Sequence, residues 1–71
     1  MFRDRAFLCD LDEGTWVDWS GTLPLPSSKG PFDGFHIGQI FDKYDSIVVV
    51  IRSDGQIYHF SPHARVTVVN D

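Results

Sequence analysis

The chain has 71 residues, with six Phe, two Trp, two Tyr, a single Cys and a formal charge of −4. At this length only about 60% of the unfolded surface is buried on folding, so one small core of aromatic and β-branched side chains is expected, in a single domain over residues 1–71. One thiol excludes an intrachain disulfide, the acidic balance argues against direct nucleic-acid binding, and no apolar stretch reaches the length of a secretory leader or membrane span. A cytoplasmic protein is therefore expected.

The first predicted element is a hairpin of residues 5–11 and 15–19. Its connection, Asp12-Glu13-Gly14, suits a type I turn that ends on a left-handed residue, the conformation glycine adopts at least cost. In that register Leu11 faces Thr15, Cys9 faces Val17 and Phe7 faces Trp19. Phe7, Cys9, Leu11, Val17 and Trp19 then form a core side, and Leu8, Asp10, Trp16 and Asp18 the opposite one.

Residues 20–31 carry Pro24, Pro26 and Pro31 between flanking Ser and Gly, which forbids a central strand and predicts an extended surface loop. Unstructured connections of this length are uncommon in small domains unless they have a role. Residues 35–41 alternate next, with Phe35, Ile37 and Gln39 on one side and His36 and Ile40 on the other. Gly34 and Gly38 interrupt the run, so a bent or bulged strand is expected, followed by a turn at residues 42–45.

Residues 47–51, Ile-Val-Val-Val-Ile, and residues 57–60, Ile-Tyr-His-Phe, flank Ser53-Asp54-Gly55-Gln56, the clearest hairpin signal in the chain. A two-residue Asp54-Gly55 turn pairs Ser53 with Gln56, Ile51 with Tyr58 and Val49 with Phe60. Ile47, Val49, Ile51, Tyr58 and Phe60 then share the core face, and Val48, Val50, Arg52, Ile57 and His59 the other. A single helical turn at residues 61–64 and a last strand at residues 65–69 complete the chain.

Five or six short antiparallel strands with tight hairpins predict an all-β fold, a small, strongly bent SH3-like barrel, with an open β-sandwich as its rival. The stretch Phe60-Ser-Pro-His-Ala-Arg-Val66 is similar to the short turn before the last strand of SH3 domains. That likeness is architectural, and the peptide-groove residues of those domains have no counterparts here.

Residues 6–15, Ala-Phe-Leu-Cys-Asp-Leu-Asp-Glu-Gly-Thr, resemble the first motif of haloacid-dehalogenase-like phosphatases, in which one Asp is the nucleophile, the next a general acid, and Mg²⁺ neutralises the phosphate. Glu13 displaces Thr15 by one position, and the doubly wound sheet of that family does not fit in this chain, so no catalytic residue is assigned. The same acids lack the bidentate Glu of a calcium loop. His59 and His63 with His36 and Cys9 lack the paired thiolates of a structural zinc site. No metal and no cofactor are expected.

Surface recognition is what the remaining residues suggest. Trp16 is predicted to face outward beside Leu8, with Asp10, Asp12, Glu13 and Asp18 around it. An aromatic anchor ringed by carboxylates suits a protein partner with a basic surface. The expected function is a non-enzymatic protein-binding module, in concrete form a small acidic inhibitor of the phage type, which sets carboxylates where its target receives phosphates. The alternative is a self-assembling structural subunit joined through an apolar strip of Val48, Val50 and Ile57. An oligonucleotide-binding barrel ranks below both, because Arg52 and His59 fall on the face opposite Tyr58.

Overall fold

Leu8 decides the architecture of the first third of the chain. In the computed structural model, which describes residues 4–28 and 36–69, strand β1 (Asp4–Phe7) stops where Leu8–Asp10 wind into one 3₁₀ turn. That turn drives the Leu8 side chain into the core with no exposed surface. The backbone is held there by the last connection of the chain: Leu8 N–H donates to Ala64 O at 3.0 Å and Cys9 N–H to Pro62 O at 2.9 Å.

The remaining strands are β2 (Trp16–Asp18), β3 (Ile37–Lys43), β4 (Val48–Arg52), β5 (Ile57–Phe60) and β6 (Arg65–Val68). They form one six-stranded sheet in the order β1-β6-β2-β3-β4-β5, with every neighbouring pair antiparallel. The protein is all-β, with no α-helix among the described residues. The sheet does not close: β1 and β5 are its edges, and the six strands lie in one sheet rather than in the two layers of a sandwich.

The predicted first hairpin does not form. β6 lies between β1 and β2, so the pairs Leu11–Thr15, Cys9–Val17 and Phe7–Trp19 are absent. The turn at Gly14 is present, with φ 92° at Gly14 and Thr15 N–H donating to Asp12 O at 3.2 Å, but it delivers the chain to a different neighbour. Gly14 N–H donates to Ile40 O at 2.7 Å and Ile40 N–H to Thr15 O at 2.9 Å, which sets β2 against β3. Leu8, expected outside, is therefore buried, while Phe7, at 42% exposure, and Cys9 are outside. Leu11 packs partly against the core, and Val17 and Trp19 are buried as the alternation predicted.

The central hairpin forms with a loop one residue longer than expected. Gly55 N–H donates to Arg52 O at 2.8 Å, Arg52 N–H to Gln56 O at 2.7 Å, and Gly55 has φ 96°. The connection is Ser53-Asp54-Gly55, a type I turn closed by a left-handed glycine. The pairs become Val48↔Phe60, Val50↔Tyr58 and Ile51↔Ile57. A slip of one residue turns a whole strand over. Val48, Val50 and Arg52 thus join Tyr58 and Phe60 inside, and Val49 and Ile51 move to the outer face.

Nine buried side chains make the core: Leu8, Val17, Trp19, Ile40, Val48, Val50, Tyr58, Phe60 and Val66. Trp19 is its centre, with ring centroids 5.3 Å from Tyr58 and 5.5 Å from Phe60. β3 is bulged as expected, though between Ile40 and Asp42 and not at Gly38, and residues 61–64 form the expected single turn, closed by Ala64 N–H donating to Ser61 O at 3.0 Å.

Of the Pro-rich loop, residues 20–28 are described. They run along the outer edge of β5, where His59 N–H donates to Ser28 Oγ at 2.7 Å and Leu25 N–H donates to His59 O at 2.7 Å. The loop thus occupies hydrogen-bonding groups that an edge strand would otherwise offer to another chain. Residues 29–35, including Pro31, Gly34 and Phe35, lie outside the described part.

Candidate binding face

The register that buries Val48 and Val50 assembles a mostly apolar row, with Gln39 at its middle, on the opposite, outer face of the sheet. Trp16 pairs with Gln39, Gln39 with Ile51, and Ile51 with Ile57. On the other flank of Trp16, Val69 N–H donates to Trp16 O at 2.9 Å, so Val69 extends the row across β6. Residues directly opposed on neighbouring antiparallel strands point to the same side. Val69, Trp16, Gln39, Ile51 and Ile57 therefore lie in line over five strands, a span of roughly 19 Å at about 4.8 Å per strand. Trp16 is 43% exposed and Ile57 48%.

The β-bulge adds a third large apolar group beside this row. Phe41 is the extra residue between Ile40 and Asp42, and its side chain is 62% exposed. Bulges re-aim side chains in this way.

Acidic groups border the row beside its middle, where the turn before β2 meets β3. The Asp12-Glu13-Gly14 turn is clamped onto β3 by Gln39, whose Nε2 donates to Gly14 O at 2.9 Å. Asp12 and Glu13 are both exposed. Tyr44 Oη donates to Asp42 Oδ2 at 2.8 Å. This hydrogen bond and the Asp42 charge push the Tyr44 hydroxyl above its ordinary range, with burial and the charge of Glu13 adding smaller pushes in the same direction. Asp18 shares the outer face with Trp16, and its Oδ1 accepts from Ser20 N–H at 2.9 Å and Ser20 Oγ at 2.6 Å.

Of the residues predicted to make the contact surface, Trp16 and Asp18 share the outer face, and Asp12 and Glu13 lie in the turn that precedes β2, on the other side of Trp16 along the chain. Leu8 is not part of it, being wholly buried. Asp10 ends the 3₁₀ turn that docks on residues 62–64, and is not a strand neighbour of Trp16. The strip of Val48, Val50 and Ile57 does not exist as a surface: both valines are core and only Ile57 is exposed. Gln39, Phe41, Ile51 and Val69 belong to this face and were not among the residues the alternation singled out. The signal was available in Ser53-Asp54-Gly55, which repeats the Asp12-Glu13-Gly14 pattern of a three-residue connection ending in glycine.

Arg52 was expected on the outer face and is instead 5% exposed. Its Nε and Nη2 donate to Asp54 Oδ1 and Oδ2 at 2.8 and 2.5 Å, and Nη1 donates to Tyr58 Oη at 3.0 Å. A bidentate fork of this kind satisfies a guanidinium that has left water. The Arg52 hydrogen bonds hold the Asp54 carboxyl below its ordinary range, against a smaller opposing effect of burial.

The histidines are separate. His36 packs edge-on against Trp19, His63 edge-on against Phe7, and His59 Nδ1 shares a 3.0 Å hydrogen bond with Ser27 Oγ. Among the described residues no three His, Cys, Asp or Glu side chains group as metal ligands, and no helix is long and apolar enough to cross a membrane. A recess of about 530 Å³ lies between the Pro-rich loop, at Leu23, Pro24 and Pro26, and the aromatic pair Trp19 and Tyr58. Comparisons with protein-family models, with curated proteins and with solved structures find no match to this chain.

Proposed function

We propose that the chain is a non-enzymatic protein-binding module that receives a basic protein surface on the outer face of its sheet. The observation that carries this reading is the unbroken row Val69–Trp16–Gln39–Ile51–Ile57, with Phe41 beside it and Asp12 and Glu13 at its margin. A half-exposed Trp between an aliphatic and an amide side chain suits an interface anchor, and carboxylates at the margin select basic partners and speed encounter. The net charge of −4 acts in the same direction. The concrete form of that role is an inhibitor of the phage type, its carboxylates covering a basic surface that otherwise holds nucleic-acid phosphates. We read the curled six-stranded sheet as an SH3-like barrel left open between β1 and β5, a scaffold that presents one face of its strands.

Affinity capture from a lysate, followed by calorimetry with the purified captured protein, tests this reading. Trp16→Ala and Ile57→Lys should each weaken binding at least about tenfold, the loss expected for a hot-spot residue. Asp12→Asn with Glu13→Gln should slow association and flatten its salt dependence. Equal affinity in Trp16→Ala and Ile57→Lys would remove the proposed face.

A further inference from the structure

The row is bordered by a recess of about 380 Å³ lined by Glu13, Gly14, Gln39, Ile40, Phe41 and Ile51. We infer that this recess is a subsite for one arginine side chain of the partner, an inference that rests on the protein-binding reading above. Three features of the lining define the occupant. Ile51 and the exposed Phe41 give the lining apolar and aromatic surface, which suits an aliphatic stem that ends in a flat cation. Glu13 supplies a carboxylate, and none of the described residues forms an ion pair with it. Gln39 is fixed by its amide nitrogen, which donates to Gly14 O at 2.9 Å, so its carbonyl oxygen is left as an acceptor.

The polar lining is therefore rich in acceptors, and it sits beside an aromatic ring. A wholly apolar occupant would strip water from Glu13 without giving it a partner, which costs free energy. A hard metal ion needs more oxygens than this lining holds. A guanidinium has donors in a planar fork, binds carboxylates in that geometry and stacks on aromatic faces, whereas an ammonium is a more strongly hydrated point charge. Arginine meets all three features at once. Trp16, the cross-strand partner of Gln39, would then bury the chain on either side of that arginine.

The test is an amide-resolved NMR titration of the intact chain with acetyl-arginine amide, acetyl-lysine amide and acetyl-citrulline amide, the last a neutral analogue of nearly the same shape. The arginine amide should give saturable shifts at Gly14, Gln39 and Phe41, with the lysine amide weaker and the citrulline amide without effect. Glu13→Gln and Phe41→Ala, both at exposed positions, should each raise the dissociation constant about fivefold or more while the spectrum stays that of a folded chain. Shifts that grow without saturation and spread over Asp10, Asp18 and Asp45, or equal affinity in Glu13→Gln, would overturn the subsite. A partner lost on Trp16→Ala and Ile57→Lys but held equally by Glu13→Gln and Phe41→Ala would also overturn it, while leaving the binding face intact.

Discussion

Gly38 lies flat against Trp19: a methyl group at residue 38 would stand 2.9 Å from Cζ3 of the indole, and also 2.5 Å from Ile51 O and 2.9 Å from Arg52 Cα. The two backbone atoms cannot rotate away as a flexible side chain could. Gly38 therefore lets β3, β4 and the central aromatic of the core approach one another. Gly38→Ala should destabilise the fold by about 1–3 kcal/mol, the usual cost of overpacking. At about 4–8 °C per kcal/mol for a domain of this size, thermal unfolding followed by circular dichroism resolves it, and an unchanged midpoint would contradict the packing.

Gly55 isolates the conformational term. A Cβ there would meet nothing within 4 Å, yet φ is 96°. Gly55→Ala should cost about 1–2 kcal/mol from the left-handed backbone alone, measured by urea denaturation. Gly38→Ala and Gly55→Ala should add in the double variant only to the extent that the turn does not shift β4 against β3. An unchanged urea midpoint for Gly55→Ala would mean that the loop does not end on a left-handed residue.

Asp54 links the hairpin turn to acid stability. Its carboxyl lies below the ordinary range because Arg52 donates to it, so the unfolded chain takes up a proton at higher pH than the folded one. The sign follows: the stabilisation is present in full above the ordinary carboxylate range and is lost as pH falls through the lowered folded value. Asp54→Asn should lower the urea midpoint at neutral pH and narrow its gap to the wild type on acidification below the ordinary range. A gap that is constant with pH would show that the charge of Asp54 does not contribute.

The loop length of the second hairpin is tested by a pair of lysines. With a three-residue loop Val50 is wholly buried and Ile57 is 48% exposed, whereas a two-residue loop would put both on the outer face. Val50→Lys should abolish cooperative unfolding, because an unpaired charge would enter the core, and Ile57→Lys should leave the midpoint within about 0.5 kcal/mol. Similar melting curves for the two variants would contradict the register.

The same contrast holds on β2. Val17→Ala removes two buried methyl groups and should cost about 2 kcal/mol, cavity included. Trp16→Ala should cost no more than Val17→Ala, since Trp16 is 43% exposed and its truncation leaves no closed cavity. A larger loss for Trp16→Ala than for Val17→Ala, read by calorimetry, would make Trp16 a structural residue and not a contact.

Local chemistry was legible in the chain from the start. Gly14 and Gly55 are legible as left-handed turn positions because only the backbone of residues beside them is involved, and both have positive φ. The strand character of the Val-rich run, the inward Val17 and Trp19 and the outward Trp16 followed from propensity and alternation, which are also local. What only the folded chain decided is which strands meet. Leu8 gains more by entering the core than by continuing a hairpin with β2, and that gain exists only once residues 62–64 are present to hold its backbone. The last strand then enters between the first two. One additional loop residue turned β4 over, moving Arg52 inward and Ile51 outward, because facing in a sheet has a period of two and depends on a count that residue preferences leave nearly balanced. The outer row from Val69 to Ile57 joins residues distant in sequence, so it became visible only when pairing had set them side by side.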